Sequence, residues 1–171
     1  MAERRAVLIP GVGYDTRAPL FAYVGEALRR LGFETHEITW QVPRDLPADR
    51  TADWVREQVT PALENGADLL VGKSLGTFAT GLAADHGLAA VWLTPLLNHP
   101  DIVDALGRAT APFLLVGGTA DKLWNGEVAR RLSPHVVEIP DADHSMLVPG
   151  PLARSAEVLG QVCTAVEDFV R

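Results

Sequence analysis

Asp68-Leu69-Leu70-Val71-Gly72-Lys73-Ser74-Leu75-Gly76 is the stretch on which the rest of the chain turns. Leu69 to Val71 is an uninterrupted apolar run and reads as a strand buried on both faces. Gly-Lys-Ser-Leu-Gly follows at once, and Thr77 to Ala84 then reads as a helix. Gly-x-Ser-x-Gly between a strand and a helix is a nucleophile elbow. The serine is held in a strained conformation, and the glycines two before and two after it let strand and helix approach closely. Ser74 therefore stands at a helix N-terminus, where the dipole and the free N–H of Leu75 favour the negative charge that develops when a serine attacks a carbonyl.

Two other readings compete. Gly-x-Ser-x-Gly alone is five loosely specified positions, and glycine and serine are common in turns after strands, so the flanking strand and helix carry the argument. Gly72-Lys73-Ser74 also spells the end of a phosphate-binding P-loop. That loop needs a glycine at position 67 and a flexible segment after it. The chain has Ala67 there, followed by strand-like Asp-Leu-Leu-Val.

The length of 171 residues suits one domain with a sizeable core, spanning residues 1–171. A composition of 47% hydrophobic and 22% charged residues is that of a globular protein. The formal net charge of −7 and a pI near 5.1 argue against a nucleic-acid or anionic-membrane surface. Arg4-Arg5 and Arg29-Arg30 are pairs, not patches. Only Ala6 to Pro10 separate the charged start from Gly11, too short a run for a signal-peptide core or a membrane span, so the expected location is cytoplasmic. The single cysteine, Cys163, excludes an intrachain disulfide and falls among Leu159, Val162, Val166 and Phe169 at helical spacing, which suits a core position.

In chain order, Ala6 to Ile9 is a first buried strand closed by Pro10-Gly11-Val12-Gly13. From Pro19, the residues Leu20, Phe21, Val24, Leu28 and Leu31 repeat at helical spacing up to Gly32. Phe33 to Trp40 suits an edge strand, and a Pro-rich loop leads to a helix over Thr51 to Leu63. After the elbow come a strand at Ala89 to Thr94, a short helix at Pro100 to Leu106 and a strand at Pro112 to Val116. A helix at Asn125 to Leu132, a strand at Val136 to Ile139 and a long helix from Pro151 to Val170 complete the chain. About six strands alternating with helices call for a parallel sheet covered on both faces, a three-layer α/β/α sandwich.

In such sheets the working residues lie at the carboxyl ends of the strands. A nucleophilic serine needs a base, and His135 and His144 are the histidines after Asp121. His135 opens its strand and so sits at the wrong end, whereas His144 follows the strand in Asp141-Ala142-Asp143-His144-Ser145. His36, His86 and His99 have ordinary readings on an edge strand, at a helix end and at a helix entry, although its loop position leaves His99 open as a pocket residue. The base in turn needs an acid to hold its tautomer. Asp121 stands beyond the strand at Phe113 to Val116, after a Gly-Gly turn, and Asp101 is the alternative. Asp141 and Asp143 are expected to shape the histidine's loop. Two oxyanion donors are needed; one is the N–H of Leu75, and the other is assigned to Val12, with Gly13 next to it as the alternative.

Gly72-Lys73-Ser74-Leu75-Gly76, Gly117-Gly118-Thr119-Ala120-Asp121 and Asp143-His144, in that order and spacing, resemble the α/β-hydrolase superfamily over nearly the whole chain. The likeness is to its small, cap-less bacterial members, similar to the dienelactone-hydrolase-related group. The resemblance implies a minimal α/β-hydrolase fold with Ser74 as nucleophile, His144 as base, Asp121 as acid, and Val12 and Leu75 as oxyanion donors. There are departures. The first-strand loop is Pro10-Gly11 where the family often has His-Gly, and dienelactone hydrolases use a cysteine where Ser74 stands. The first two strands of the full-length fold are missing, and Pro95 to Asn98 is too short for a cap, so an open site is expected.

Tyr14, Trp40, Leu96, Leu97, Trp124 and Met146 fall just past strand ends, with Tyr14, Trp40 and Trp124 the expected substrate contacts; Lys73 reads as a solvated elbow residue. The expected activity is cleavage of a small ester or thioester through an acyl-enzyme on Ser74, with no metal or organic cofactor. A non-catalytic binding module on the same fold, or an acyltransferase using the same acyl-enzyme, are the alternatives.

Overall fold

A computed structural model describes residues 4–171. Met1 to Glu3, which open the segment from which a cytoplasmic location was expected, lie outside the described residues. Six strands form one sheet: β1 (Arg4–Ile9), β2 (Phe33–Glu37), β3 (Leu69–Lys73), β4 (Ala89–Leu93), β5 (Phe113–Gly118) and β6 (His135–Ile139). Their order is β2-β1-β3-β4-β5-β6, and every neighbouring pair is parallel. The α-helices are α1 (Pro19–Arg30), α2 (Thr51–Leu63), α3 (Thr80–His86), α4 (Pro100–Arg108), α5 (Gly126–Leu132) and α6 (Leu152–Val170).

Helices cover both faces because the strands are apolar on both. One core packs Val7, Ile9, Leu70, Trp92 and Leu115 against α2, α3, α4 and α5. The other packs Leu8, Val71, Val91, Leu93 and Val116 against α1 and α6. Each fully buried Leu or Val contributes about 1.5–3 kcal/mol relative to exposure, which is why the central strands carry continuous apolar runs. This is the three-layer parallel α/β arrangement expected from the sequence. The β4–α4 connection, residues 94–99, leaves no room for a cap. Among the described residues, no helix is long and apolar enough to cross a membrane. Cys163 lies half-buried in α6, where burial pushes its thiol up.

Strand order reverses direction between β1 and β3, since the chain runs outward from β1 to β2 and the other way from β3 to β6. The crevice beyond the carboxyl ends of those two strands is the natural binding place in an open parallel sheet. It is where Pro10 to Gly13 and Gly72 to Gly76 meet: a Cβ on Gly76 would strike the carbonyls of Ile9 and Pro10.

Several boundaries differ from the sequence reading. The segment after the elbow is a 3-10 helix, Ser74–Ala79, before α3 begins at Thr80. Gly76 and the β-branched Thr77 are poor α-formers, and the Thr77 hydroxyl donates to the Ser74 carbonyl at 2.5 Å. Strand β2 ends at Glu37 instead of Trp40, where the chain leaves the sheet edge and Trp40 packs on Trp54. Helices α5 and α6 start one residue later than expected, with Asn125 and Pro151 as their N-caps, and the Asn125 side chain accepts from the Val128 N–H.

Candidate active site

Strand β3 runs directly into Ser74, whose φ of 51° lies in the left-handed region that a serine rarely occupies. The two elbow glycines make that turn possible. A Cβ on Gly72 would come within 2.7 Å of the Trp92 ring and 2.8 Å of the Gly76 carbonyl. The serine side chain is thereby lifted out of the sheet at the start of the 3-10 segment, whose first N–H groups, that of Leu75 among them, have no carbonyl behind them within the helix.

Ser74 Oγ lies 2.8 Å from His144 Nε2, and His144 Nδ1 lies 2.7 Å from Asp121 Oδ2. A carboxylate can only accept, so Nδ1 carries the hydrogen and Nε2 is left with a lone pair aimed at the serine hydroxyl. Asp121 is 5% exposed, and its other oxygen accepts from the Leu123 N–H at 2.9 Å. These three residues come from beyond the ends of β3, β5 and β6, at the carboxyl edge of the sheet.

The loop of Asp121 and the loop of His144 are stitched together by hydrogen bonds. Thr119 N–H donates to Ile139 O at 3.0 Å, Ala120 N–H to Ala142 O at 3.0 Å, and Asp141 N–H to Thr119 Oγ1 at 2.8 Å. Within the loop of His144, Asp143 Oδ1 accepts from Ser145 and Leu147 N–H, so Asp143 shapes the loop and does not pair with the imidazole. Asp101, the alternative acid, sits on the exposed first turn of α4 with an oxygen 4.0 Å from His99 Nδ1, and it does not meet His144. His99 itself packs edge-on against Phe78.

Gly11 stands over the serine: a Cβ there would be 3.4 Å from Ser74 Cβ. Its N–H is taken by Tyr14 O, which leaves Val12, 65% exposed, and Gly13, with φ of 61°, projecting at the rim. An open cleft of about 770 Å³ begins here, with a mixed lining that includes Gly11, Tyr14 and Trp40 together with Asp15, Arg17 and Gln41. Trp40 Nε1 is buried without a hydrogen-bond partner. Trp124, by contrast, does not line this cleft. Its ring lies against Gly117, and its Nε1 donates to Glu138 Oε2 at 2.7 Å, so it is tied to the far side of β5 and β6. Leu97 and Met146 are buried in the two cores, and Leu96 packs against the first of them.

Lys73 departs most from expectation. It is not solvated but 2% exposed, with Nζ donating to Thr94 Oγ1 at 3.1 Å and His144 O at 2.9 Å. The third side of the ammonium faces the Tyr14 ring, 4.4 Å from its centroid. Burial pulls Lys73 down to about 8, against the opposing pull of Asp121 and Asp143. The sequence held a signal for this: Lys73 ends a strand buried on both faces and keeps the alternation of Leu69 and Val71.

No family model matches this sequence, and no curated protein matches it. Solved structures do. A lidless α/β serine hydrolase from Xanthomonas campestris superposes with a TM-score of 0.63 at 18% identity, covering 98% of this chain and 82% of that one. Est1E from Butyrivibrio proteoclasticus, solved with ferulic acid bound, gives 0.74 at 16% identity over 98% and 88%. A dienelactone hydrolase from Anabaena variabilis gives 0.67 at 22% identity over 98% and 85%. At these identities the likeness is one of fold: the chain has the α/β-hydrolase fold, matched from end to end.

Proposed function

We propose that this chain is a serine hydrolase that cleaves a small ester or thioester through an acyl-enzyme on Ser74. The observation that carries the reading is the continuous Ser74–His144–Asp121 hydrogen-bond chain with the serine at a left-handed turn. Such an arrangement costs strain and a buried carboxylate, and folding alone gives no reason for either. The fold shared with a lidless serine hydrolase and a dienelactone hydrolase supports it as analogy.

In this reading Ser74 Oγ attacks the substrate carbonyl carbon while its proton passes to His144 Nε2, and Asp121 stabilises the imidazolium. Charge develops on the carbonyl oxygen, and the Leu75 N–H faces it with a second donor from the Val12–Gly13 segment. Collapse of the tetrahedral intermediate expels the alcohol or thiol, which takes the proton from Nε2. Water then attacks the acyl-enzyme with the same histidine as base, releasing the acid and restoring Ser74. The open cleft beside Gly11 has room for a small substrate, with Tyr14 and Trp40 on its apolar side and Asp15, Arg17 and Gln41 on its polar side.

Intact-mass measurement after treatment with a fluorophosphonate tests the reading. One adduct on the native chain, absent from Ser74→Ala and His144→Ala, is the expected result. A folded native chain that takes no adduct would overturn it in favour of a binding module.

A further inference from the structure

We infer that Lys73 is a positioning residue for His144: by holding the histidine's own carbonyl, it fixes the imidazole against the neighbouring serine. The inference rests on the hydrolase reading above and extends it to a residue outside the Ser–His–Asp chain.

His144 lies on the connection between β6 and α6, which has no ladder of its own, with Asp141 and Met146 at φ of 60° and 62°. Asp143 braces that loop internally, and Ala142 ties it to the acid's side. Neither contact reaches the elbow. Lys73 does. Its backbone is bonded to Ser74, its side chain leaves β3 toward the α1 and α6 layer, and its Nζ ends 2.9 Å from His144 O. The result is a closed ring: Ser74 Oγ to the imidazole, through the His144 backbone to its carbonyl, across to Lys73 Nζ and back along the side chain to the residue next to Ser74. A base held from both its ring and its main chain has little freedom to swing away.

The ammonium is itself over-determined. Thr94 Oγ1 is the second acceptor; Thr94 is 0% exposed and bent to φ of 42° at the end of β4, with its N–H on Val116 O. Tyr14 supplies its ring face from the β1–α1 loop, and the Tyr14 hydroxyl is fixed by accepting from Leu20 N–H at 3.0 Å. A buried charge is costly, and a chain needing only a filler here would place a methionine. Cost retained beside a reacting serine points to use. The charged and titratable groups around it are Asp121 from the β5 loop, Asp143 and His144 from the β6 loop, and Tyr14. Loss of the proton from Lys73 near pH 8 removes the charge assistance from the bond to His144 O.

The test uses the full chain with Lys73→Met and Lys73→Gln. On an activated ester, K73M should lose roughly tenfold to a hundredfold in kcat, the cost of misplacing a catalytic group, with KM nearly unchanged. Native kcat should decline above about pH 8 while K73M stays flat there, and K73Q, which restores a neutral donor, should fall between the two and also stay flat. Independently of turnover, hydrogen exchange at Asp143, Met146 and Leu147 should quicken by about tenfold or more in K73M, with β1, β3 and β4 unchanged. Folded K73M or K73Q with native kcat, native alkaline profile and native exchange overturns the inference while leaving the hydrolase reading intact. A native chain that takes no fluorophosphonate adduct overturns both.

Discussion

Gly118 and Ala142 are in backbone contact, so close that any Cβ on Gly118 would strike the Ala142 carbonyl. This pairing joins the loop of Asp121 to the loop of His144, and the 3.0 Å bond from Ala120 N–H to the same carbonyl depends on it. The Gly-Gly pair before Asp121 is therefore a spacing device between the two loops as much as a turn.

Gly118→Ala should accordingly act on both stability and chemistry. The obstacle is backbone, which cannot rotate away, so overpacking should cost about 1–3 kcal/mol. Because the displaced loop carries His144, the folded fraction should also lose roughly tenfold or more in kcat. Urea unfolding alongside active-site titration separates the two, and native kcat per folded molecule would show that the loops move independently.

Asp121→Asn keeps the size of the acid but can present an N–H to His144 Nδ1, forcing the hydrogen onto Nε2, where it faces Ser74. The expected fall in kcat is about 10⁴-fold with little change in fold, by the tautomer argument known for such triads. Circular dichroism with ester hydrolysis measures both; a loss under tenfold would mean that Asp121 does not orient the base.

That Ser74, Asp121 and His144 would meet was legible because the proposed chemistry asks for particular residue types at strand ends. Ser74, Asp121 and His144 could be named since each follows an apolar run, and His135 could be set aside since it precedes one. What escaped the sequence were contacts set by three-dimensional packing. Lys73 reads as solvated because lysine usually is, and only its neighbours Thr94, Tyr14 and the His144 carbonyl, 21, 59 and 71 positions away, make a buried place for it. Trp124 follows β5 as the pocket residues follow their strands, yet the space above Gly117 and the Glu138 carboxylate draw it aside. Position relative to a strand end selects the edge of the sheet, but not the direction a large side chain takes from there.

That division makes the two tryptophans separable. Trp124→Phe removes the N–H to Glu138 and should cost about 1 kcal/mol in stability without altering KM. Trp40→Phe shortens a ring that lines the cleft, so KM should change, while the packing lost against Trp54 is offset by removal of a buried N–H that has no protein partner, so stability should hold. Thermal melts and steady-state kinetics on both variants decide the matter, and the reverse pattern would move the substrate to the other side of β5.

Lys73 also sets a pH dependence of stability whose sign follows from its lowered value. The folded chain releases the proton near pH 8, whereas an unfolded lysine keeps it to about 10.5. Between those values the unfolded state binds more protons, so native stability should rise with pH across that window. Below pH 8 the full cost of the buried ammonium is present, and above 10.5 it has gone. The shift corresponds to a few kcal/mol by the usual conversion of about 1.4 kcal/mol per unit. Other groups titrate in the same range, so the useful quantity is the difference between native and Lys73→Met at each pH, in which their contributions cancel. K73M gains by removing the charge but strands Thr94 Oγ1 and the His144 carbonyl, at about 1–3 kcal/mol each, so near neutral pH the two chains should have similar stability. As pH rises from 8 to 10.5 the native chain should gain on the variant. A difference in unfolding free energy that stays constant over that range would show that Lys73 keeps an ordinary lysine's affinity for its proton in the folded chain.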